Sequence, residues 1–223
     1  MSNALPSRDP DDRLPLRERK KLRTRAALTD TALQLFTERG FNGVTLDELC
    51  DAVEISKRTF FRYFAGKEDV AMAPTQDLWR AFLEDLRTRE PGDGPVLEML
   101  RDALLAAMDR MSADGWAHRV LLSRRLAAVT PSMDAHGLHF CHDTGRAARA
   151  TLHRRLDLDD PDDPRTRLAV DMLVAAFHCA LDTWMAGPGT PTRADLAAHL
   201  RDVCAALPGS LTLTAGPRPP GQP

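Results

Sequence analysis

What most limits the folds open to this chain is a pair of helix starts set close together, in the run VTLDELCDAVEISKRTFFRYF between Val44 and Phe64. Thr45 is followed three residues on by Glu48. That is the spacing of a capping box, in which hydroxyl and carboxylate each satisfy a backbone N–H that the first helical turn leaves unpaired. Val44 and Leu49 flank it as a hydrophobic staple. The helix from Thr45 reaches only about Val53, and Ser56 caps another that runs to about Phe64. Upstream, Leu28, Ala32, Leu35 and Phe36 stand at i, i+4, i+7 and i+8, one apolar stripe. Gly40 ends that helix, and Phe41 is placed to fold back on its last turn. The pattern predicts a long helix, a short helix, a three-residue turn and a second short helix.

Such a unit can offer its third helix to the major groove of a duplex. In SKRTFFRYF, the side carrying Ile55, the Thr59 methyl, Phe60 and Phe64 faces inward, leaving Lys57, Arg58, Phe61, Arg62 and Tyr63 near the exposed face. Lys57 and Arg58 open the helix, where a guanidinium can pair with both acceptors of guanine. Ser56, Thr59, Tyr63 and Lys67 suit phosphates, as do the amides at the helix start after Thr45. The basic run Arg17, Arg19, Lys20, Lys21, Arg23, Arg25 can reach the backbone or an adjacent minor groove. A solvated helical hairpin would carry the same charges. Net charge is −2 overall, yet residues 13–67 hold 12 Lys/Arg against 7 Asp/Glu and residues 68–223 hold 17 against 22. All four lysines lie in the basic section. Opposite signs in adjacent sections predict two modules, the basic one suited to a polyanion.

The run from about Arg25 to Val70, R-x-x-L-x-x-x-A-x-x-L-F-x-x-x-G-F-x-x-V-T-L-x-E-L-C-x-x-V-E-I-S-K-R-T-F-F-R-Y-F-x-x-K-E-D-V, resembles the DNA-binding domain of the TetR family of transcriptional regulators. The resemblance implies a homodimeric regulator, usually a repressor, that releases a palindromic operator in double-stranded DNA when a small molecule binds its C-terminal domain. It assigns Thr45 to a phosphate, Lys57, Arg58 and Thr59 to bases and phosphates, Phe61 and Tyr63 to the aromatic and backbone-contact positions, and Lys67 to a phosphate. One departure stands in the turn, where Glu54 occupies a position the family generally gives to glycine; a positive φ there costs it roughly 1 kcal/mol.

The expected fold is all-α, about nine helices, with no strand-like alternation. Residues 1–15 are read as a disordered arm, 16–66 as the helix-turn-helix domain, 67–208 as an effector-binding and dimerisation domain, and 209–223 as a disordered tail. Pro74 is expected to kink or break the helix begun near Lys67, and EPGDGP at 90–95 is a clear stop. Later helices are expected near 96–112, 116–129, 132–156, 165–186 and 193–207, with Gly137 and Gly145 weakening the third of these spans.

No ligand residue transfers to the C-terminal half. Candidate effector contacts are Trp79, Leu83, Met108, Trp116, His139, Phe140 and Phe177, most of them apolar groups equally suited to plain core. The form of the third helix is similar to a subgroup with acyl-CoA-like effectors, which implies an apolar or acyl-like ligand. Arg124 and Arg125 can meet an anionic group or stand in solvent. His136, His139 and His142 are spaced i, i+3 and i+3, but no carboxylate pair or CxxC completes a metal set, so neither metal nor cofactor is expected. Leu168, Met172, Ala176, Cys179, Leu196 and Leu200 are candidates for a dimer interface of paired last helices, or for burial within one subunit. No enzyme fingerprint is present: G-x-S-x-G, H-E-x-x-H, the P-loop and the dinucleotide motif are all missing. A regulator acting through DNA or a protein partner alone is the alternative to a ligand-responsive one. Cys50, Cys141, Cys179 and Cys204 are far apart and read as free thiols. No stretch approaches the ~18 apolar residues of a spanning helix, and the first fifteen residues hold Asp and Arg where a signal peptide is apolar. The expectation is a cytoplasmic protein with no membrane partner, from a high-GC bacterium given its Arg/Ala-rich, Lys-poor composition.

Overall fold

The computed structural model describes residues 15–111, 115–158, 160, 163–190 and 192–216. The expected disordered arm and tail lie outside these residues, apart from Pro15 and residues 209–216. Among the described residues the regular structure is helical throughout. The α-helices are α1 (Leu16–Arg39), α2 (Leu46–Ala52), α3 (Lys57–Phe60), α4 (Lys67–Thr88), α5 (Val96–Arg110), α6 (Trp116–Ala127), α7 (Pro131–Arg155), α8 (Pro164–Ala186) and α9 (Arg193–Ser210). A 3₁₀ turn, Phe41–Gly43, follows α1.

The chain divides into two compact units, and the first does not stop at residue 66: it runs to Thr75 and takes in Leu122–Gly137. Its core gathers Leu28, Ala32, Leu33 and Phe36 of α1, Phe41, Val44, Leu49, Phe60 and Phe64, together with Val70, Ala71, Met72 and Ala73 of α4 and Leu126, Ala127 and Met133. Phe36 and Phe41 meet at 4.9 Å between ring centroids, the fold-back allowed by Gly40 at φ 76°. Each fully buried large side chain here contributes roughly 1.5–3 kcal/mol. The three helices before Lys67 therefore complete their core with chain that the sequence divides from them, because α2 and α3 are too short to cover Phe36 and Phe60.

Pro74 does not break α4, which continues to Thr88. A proline removes one helical hydrogen bond, but Ala71, Met72 and Ala73 before it and Leu78 after it are buried in apolar cores that hold the helix at either end of the defect. Gly137 does not weaken α7 into two pieces either. A Cβ there would stand 2.8 Å from Met72 Cε, the flexible end of a side chain that fills the space the glycine leaves.

The second unit, Gln76–Leu121 with the chain from Leu138 onward, centres on Trp79, edge-on to Phe82 at 5.3 Å and to Phe177 at 5.2 Å. Arginines close its helix ends. Arg155 donates to the carbonyls of Leu86 and Arg89 at 2.7 Å, closing α4, and Arg193 donates to Asp109 O at 2.8 Å, closing α5. Cations on terminal carbonyls satisfy groups a helix leaves unpaired. Asp85, its side chain 10% exposed, binds Arg89 Nε at 2.6 Å and is also paired with Arg110.

Helix α8 corrects one expectation, since its best 18-residue window reaches a mean hydropathy of 1.4 and so passes as a span by length and composition. Its buried side (Val170, Leu173, Phe177, Leu181, Trp184) lies in the core of the second unit. Helix α9 also runs three residues past its expected end, through Pro208 to Ser210.

Candidate nucleic-acid interface

The geometry between Thr45 and Phe64 follows local rules. Thr45 Oγ1 accepts from Glu48 N at 3.2 Å and Glu48 Oε2 accepts from Thr45 N at 2.8 Å, the reciprocal pair of a capping box. Arg39 donates to Glu48 Oε1 at 2.6 Å and to Gly43 O at 3.0 Å, tying the end of α1 to the start of α2. The Thr45 amide, the Arg39 guanidinium and the Thr45 hydroxyl together hold the Glu48 carboxyl at about 2, below its ordinary 4.5. Val44 and Leu49 are both buried, as a staple requires.

The turn between α2 and α3 ends α2 in a Schellman motif. Ile55 N donates to Cys50 O at 3.0 Å and Glu54 N to Asp51 O at 3.1 Å. That motif needs a left-handed residue at Glu54, and Glu54 takes φ 54° without being glycine. The departure noted in the sequence is thus a strained residue in an ordinary turn. Burial pushes the thiol of Cys50 up, with Asp47 and Asp51 adding to the effect.

Helix α3 is shorter than expected. Ser56 Oγ accepts from Thr59 N at 3.1 Å, and the α-helix ends at Phe60. Beyond it the bonds tighten to Arg62 N–Thr59 O at 3.2 Å and Tyr63 N–Phe60 O at 2.8 Å. Phe60 and Phe64 are buried, 5.8 Å apart, so the last turn stays anchored. On the other side Lys57, Arg58, Phe61 and Arg62 are exposed, and Thr59 and Tyr63 are half-buried. Phe61 is 56% exposed, an apolar ring held in solvent against the edge of Phe60. The Arg62 guanidinium lies over the Tyr63 ring at 5.1 Å.

Two of the expected contacts are placed differently. Lys67 turns inward: Nζ donates to Phe41 O at 2.9 Å and Val44 O at 2.7 Å and sits 4.6 Å from the Phe41 ring centre. It fastens the loop before α2, leaving one proton for a phosphate. Arg25 of the basic run stacks over Phe64 at 4.9 Å and belongs to the packing, whereas Arg17, Lys20, Lys21 and Arg23 are exposed. One contact had no sequence signal: Lys57 Nζ meets Asp47 Oδ1 at 2.7 Å. The two lie in different helices, and only the angle between α2 and α3 brings them together.

In the second unit the expected effector residues do not form one surface. Trp79, Met108, Trp116 and Phe177 are buried in its core, and Leu83 and Phe140 pack beside them, with Arg80 over the Phe140 ring at 5.6 Å. His139 stands apart from them: its side chain is 78% exposed, 3.4 Å from Asp143, on the outer side of α7. A groove of about 350 Å³ opens elsewhere, lined by Leu97, Glu98 and Arg101 of α5, Met172 of α8, and Cys204 and Leu207 of α9. Of the interface candidates, Ala176, Leu196 and Leu200 are corrected. They are buried within the chain, since α9 has one apolar side and uses it against α8. Leu168 and Cys179 are exposed on the free side of α8, and Met172 is half-buried where that side borders the groove. Among the described residues no three His, Cys, Asp or Glu side chains gather as a metal site, and none of the four cysteines forms a disulfide.

A chain of two helical units, the first presenting a basic helix beyond a strained turn, has the form of a helix-turn-helix regulator. Residues 28–73 match the model of the bacterial regulatory proteins of the tetR family, and residues 94–208 match the MftR C-terminal domain. The HTH-type transcriptional regulator TcmR of Streptomyces glaucescens is 38% identical over 163 residues, 70% of this chain and 71% of that one. The HTH-type transcriptional repressor NemR of Escherichia coli is 34% identical over 84 residues, 37% of this chain and 40% of that one. The structure of the TetR family transcriptional regulator PfmR from Thermus thermophilus superposes with a TM-score of 0.41 at 16% identity, covering 80% of this chain and 97% of that one. The chain belongs to the TetR family of transcriptional regulators, a family of regulators and not of enzymes.

Proposed function

We propose that this chain is a cytoplasmic repressor that binds a two-fold symmetric operator as a homodimer and leaves it when an apolar or acyl-like small molecule binds the second unit. The observation that carries the reading is α3, whose inner side is pinned by Phe60 and Phe64 while Lys57, Arg58, Phe61 and Arg62 stand exposed. A short, rigidly seated helix with cations at its start is what major-groove reading needs. Arg58 reads a base edge. Thr45, Ser56, Thr59 and Tyr63 hold phosphates, with α1's exposed Arg17, Lys20, Lys21 and Arg23 adding sequence-independent attraction. The exposed side of α8, with Leu168 and Cys179 and bordered by the half-buried Met172, supports pairing with a second copy. Effector binding then favours a spacing of the two recognition helices that no longer fits successive major grooves.

The experiment is selection from a randomised duplex pool by the full chain, with sequencing of the retained duplexes. The reading predicts a symmetric motif with half-sites separated by one helical turn, about 10 bp, or a multiple of it. Recovery of no enriched sequence contradicts it.

A further inference from the structure

The recognition helix carries two cations at its start, and they are not equivalent. Arg58 is exposed and forms no ion pair among the described residues, whereas the Lys57 ammonium is 2.7 Å from the carboxylate of Asp47, the second residue of α2. Both side chains of this pair are more than half exposed, 53% and 66%, so the pair lies where a duplex can reach it. Neither helix depends on it for a cap, since α2 is capped by Thr45 and Glu48 and α3 by Ser56. Exposed pairs add little to stability. The significance of this one lies in what the two charges meet when a groove displaces the water around them.

We propose that Asp47 is a specificity-determining residue of DNA recognition, holding Lys57 out of sequence-independent attraction and aiming it at base edges. The inference rests on α3 being the recognition helix. An ammonium has three protons. Asp47 takes one, which fixes Nζ and leaves two for paired acceptors such as guanine O6 and N7. On a matching sequence the pair keeps its bond and gains two more. On any other sequence the lysine finds no acceptor in line, and a carboxylate faces the phosphate field with its charge no longer offset by a useful contact. The cost therefore falls on the wrong duplexes. The bond with Asp47 also holds Lys57 in its charged form, raising its pKa, with the Asp47 charge adding to the effect.

The test uses the full chain, the tightest duplex from the randomised pool, and a scrambled duplex of equal composition. Asp47→Asn frees the lysine. It is expected to tighten the scrambled duplex roughly fivefold, the scale of one exposed charge, and to steepen its salt dependence by about 0.9 in log–log slope. The selected duplex changes less than about twofold on the same scale, so the specificity ratio falls. Asp47→Glu, which keeps the carboxylate, retains the wild-type ratio, and Asp47→Asn in a Lys57→Gln background changes it no further. Equal tightening of both duplexes by Asp47→Asn overturns the proposal, because Asp47 is then only a repulsive charge. Wild-type binding by Lys57→Gln and Arg58→Ala together overturns the recognition-helix reading itself. Thermal unfolding of each variant shows that the fold is intact.

Discussion

Glu54 gives the sharpest quantitative prediction. It is the left-handed residue of the Schellman motif that ends α2, at φ 54°. A side chain there crowds its own carbonyl, at a cost of about 1–2 kcal/mol that glycine avoids. Glycine is freer in the unfolded chain, which offsets about 0.4–1 kcal/mol. The Glu54 side chain is exposed and has no hydrogen bond or ion pair to lose among the described residues. Glu54→Gly is therefore expected to stabilise the first unit by about 0.5–1 kcal/mol, raising its unfolding midpoint by ~2–8 °C. Far-UV circular dichroism is the assay, since Trp79, Trp116 and Trp184 all lie in the second unit and their fluorescence does not report on the turn. Glu54→Ala keeps the strain and Glu54→Gln keeps it while removing the charge, so neither should gain. A rise for Glu54→Ala equal to that for Glu54→Gly would refute the reasoning, because the charge or the side chain, and not the backbone angle, would then be responsible.

The other predictions follow from single contacts. Lys67→Ala removes two charge-assisted bonds to Phe41 and Val44 carbonyls and should destabilise the first unit by about 1.5–3 kcal/mol in urea denaturation, where a pure phosphate contact would leave stability unchanged. Because the Glu48 carboxyl sits at about 2, below its ordinary 4.5, its contribution is complete above pH 4.5 and disappears as pH falls through 2. Glu48→Gln should flatten that acid limb in a pH series of melting curves. Asp85→Ala strips the partner from Arg89 and Arg110, and is expected to cost about 2 kcal/mol, below the value for a fully buried pair because Arg110 is 45% exposed. Leu168→Glu on the exposed side of α8 should convert a dimer to monomer in sedimentation while leaving the fold intact, and a wild-type mass would place pairing elsewhere.

What can be read from the sequence is local. Thr45 with Glu48, Ser56, Gly40 and the odd residue at 54 each act over three or four positions, and helix starts, stops and the turn follow from them. Lys67 shows why the rest is hidden. Its spacing from α3 fits a phosphate lysine, but two carbonyls more than twenty residues upstream compete for its protons, and only the folded loop brings them there. Pro74 and Gly137 mislead for a related reason: each weakens a helix in isolation, and packing around it overrides the deficit. Leu196 and Leu200 have the period of an interface and equally of an internal face, and the sequence holds no signal for which partner covers them. Residue type alone suggests His139 as a ligand contact, but its side of α7 is decided by which of the helix's other residues reach the core.

Sequence reading by α3 through Arg58 is open to direct measurement. Fluorescence anisotropy of wild type and Arg58→Ala is followed on the selected and scrambled duplexes at two salt concentrations. Two chains are expected per selected duplex, and Arg58→Ala should lose ~1–3 kcal/mol on that duplex and clearly less, the effect of one exposed charge, on the scrambled one, with base preference relaxed at one position of each half-site. An equal loss on both duplexes would contradict it, since Arg58 would then hold only the phosphate backbone.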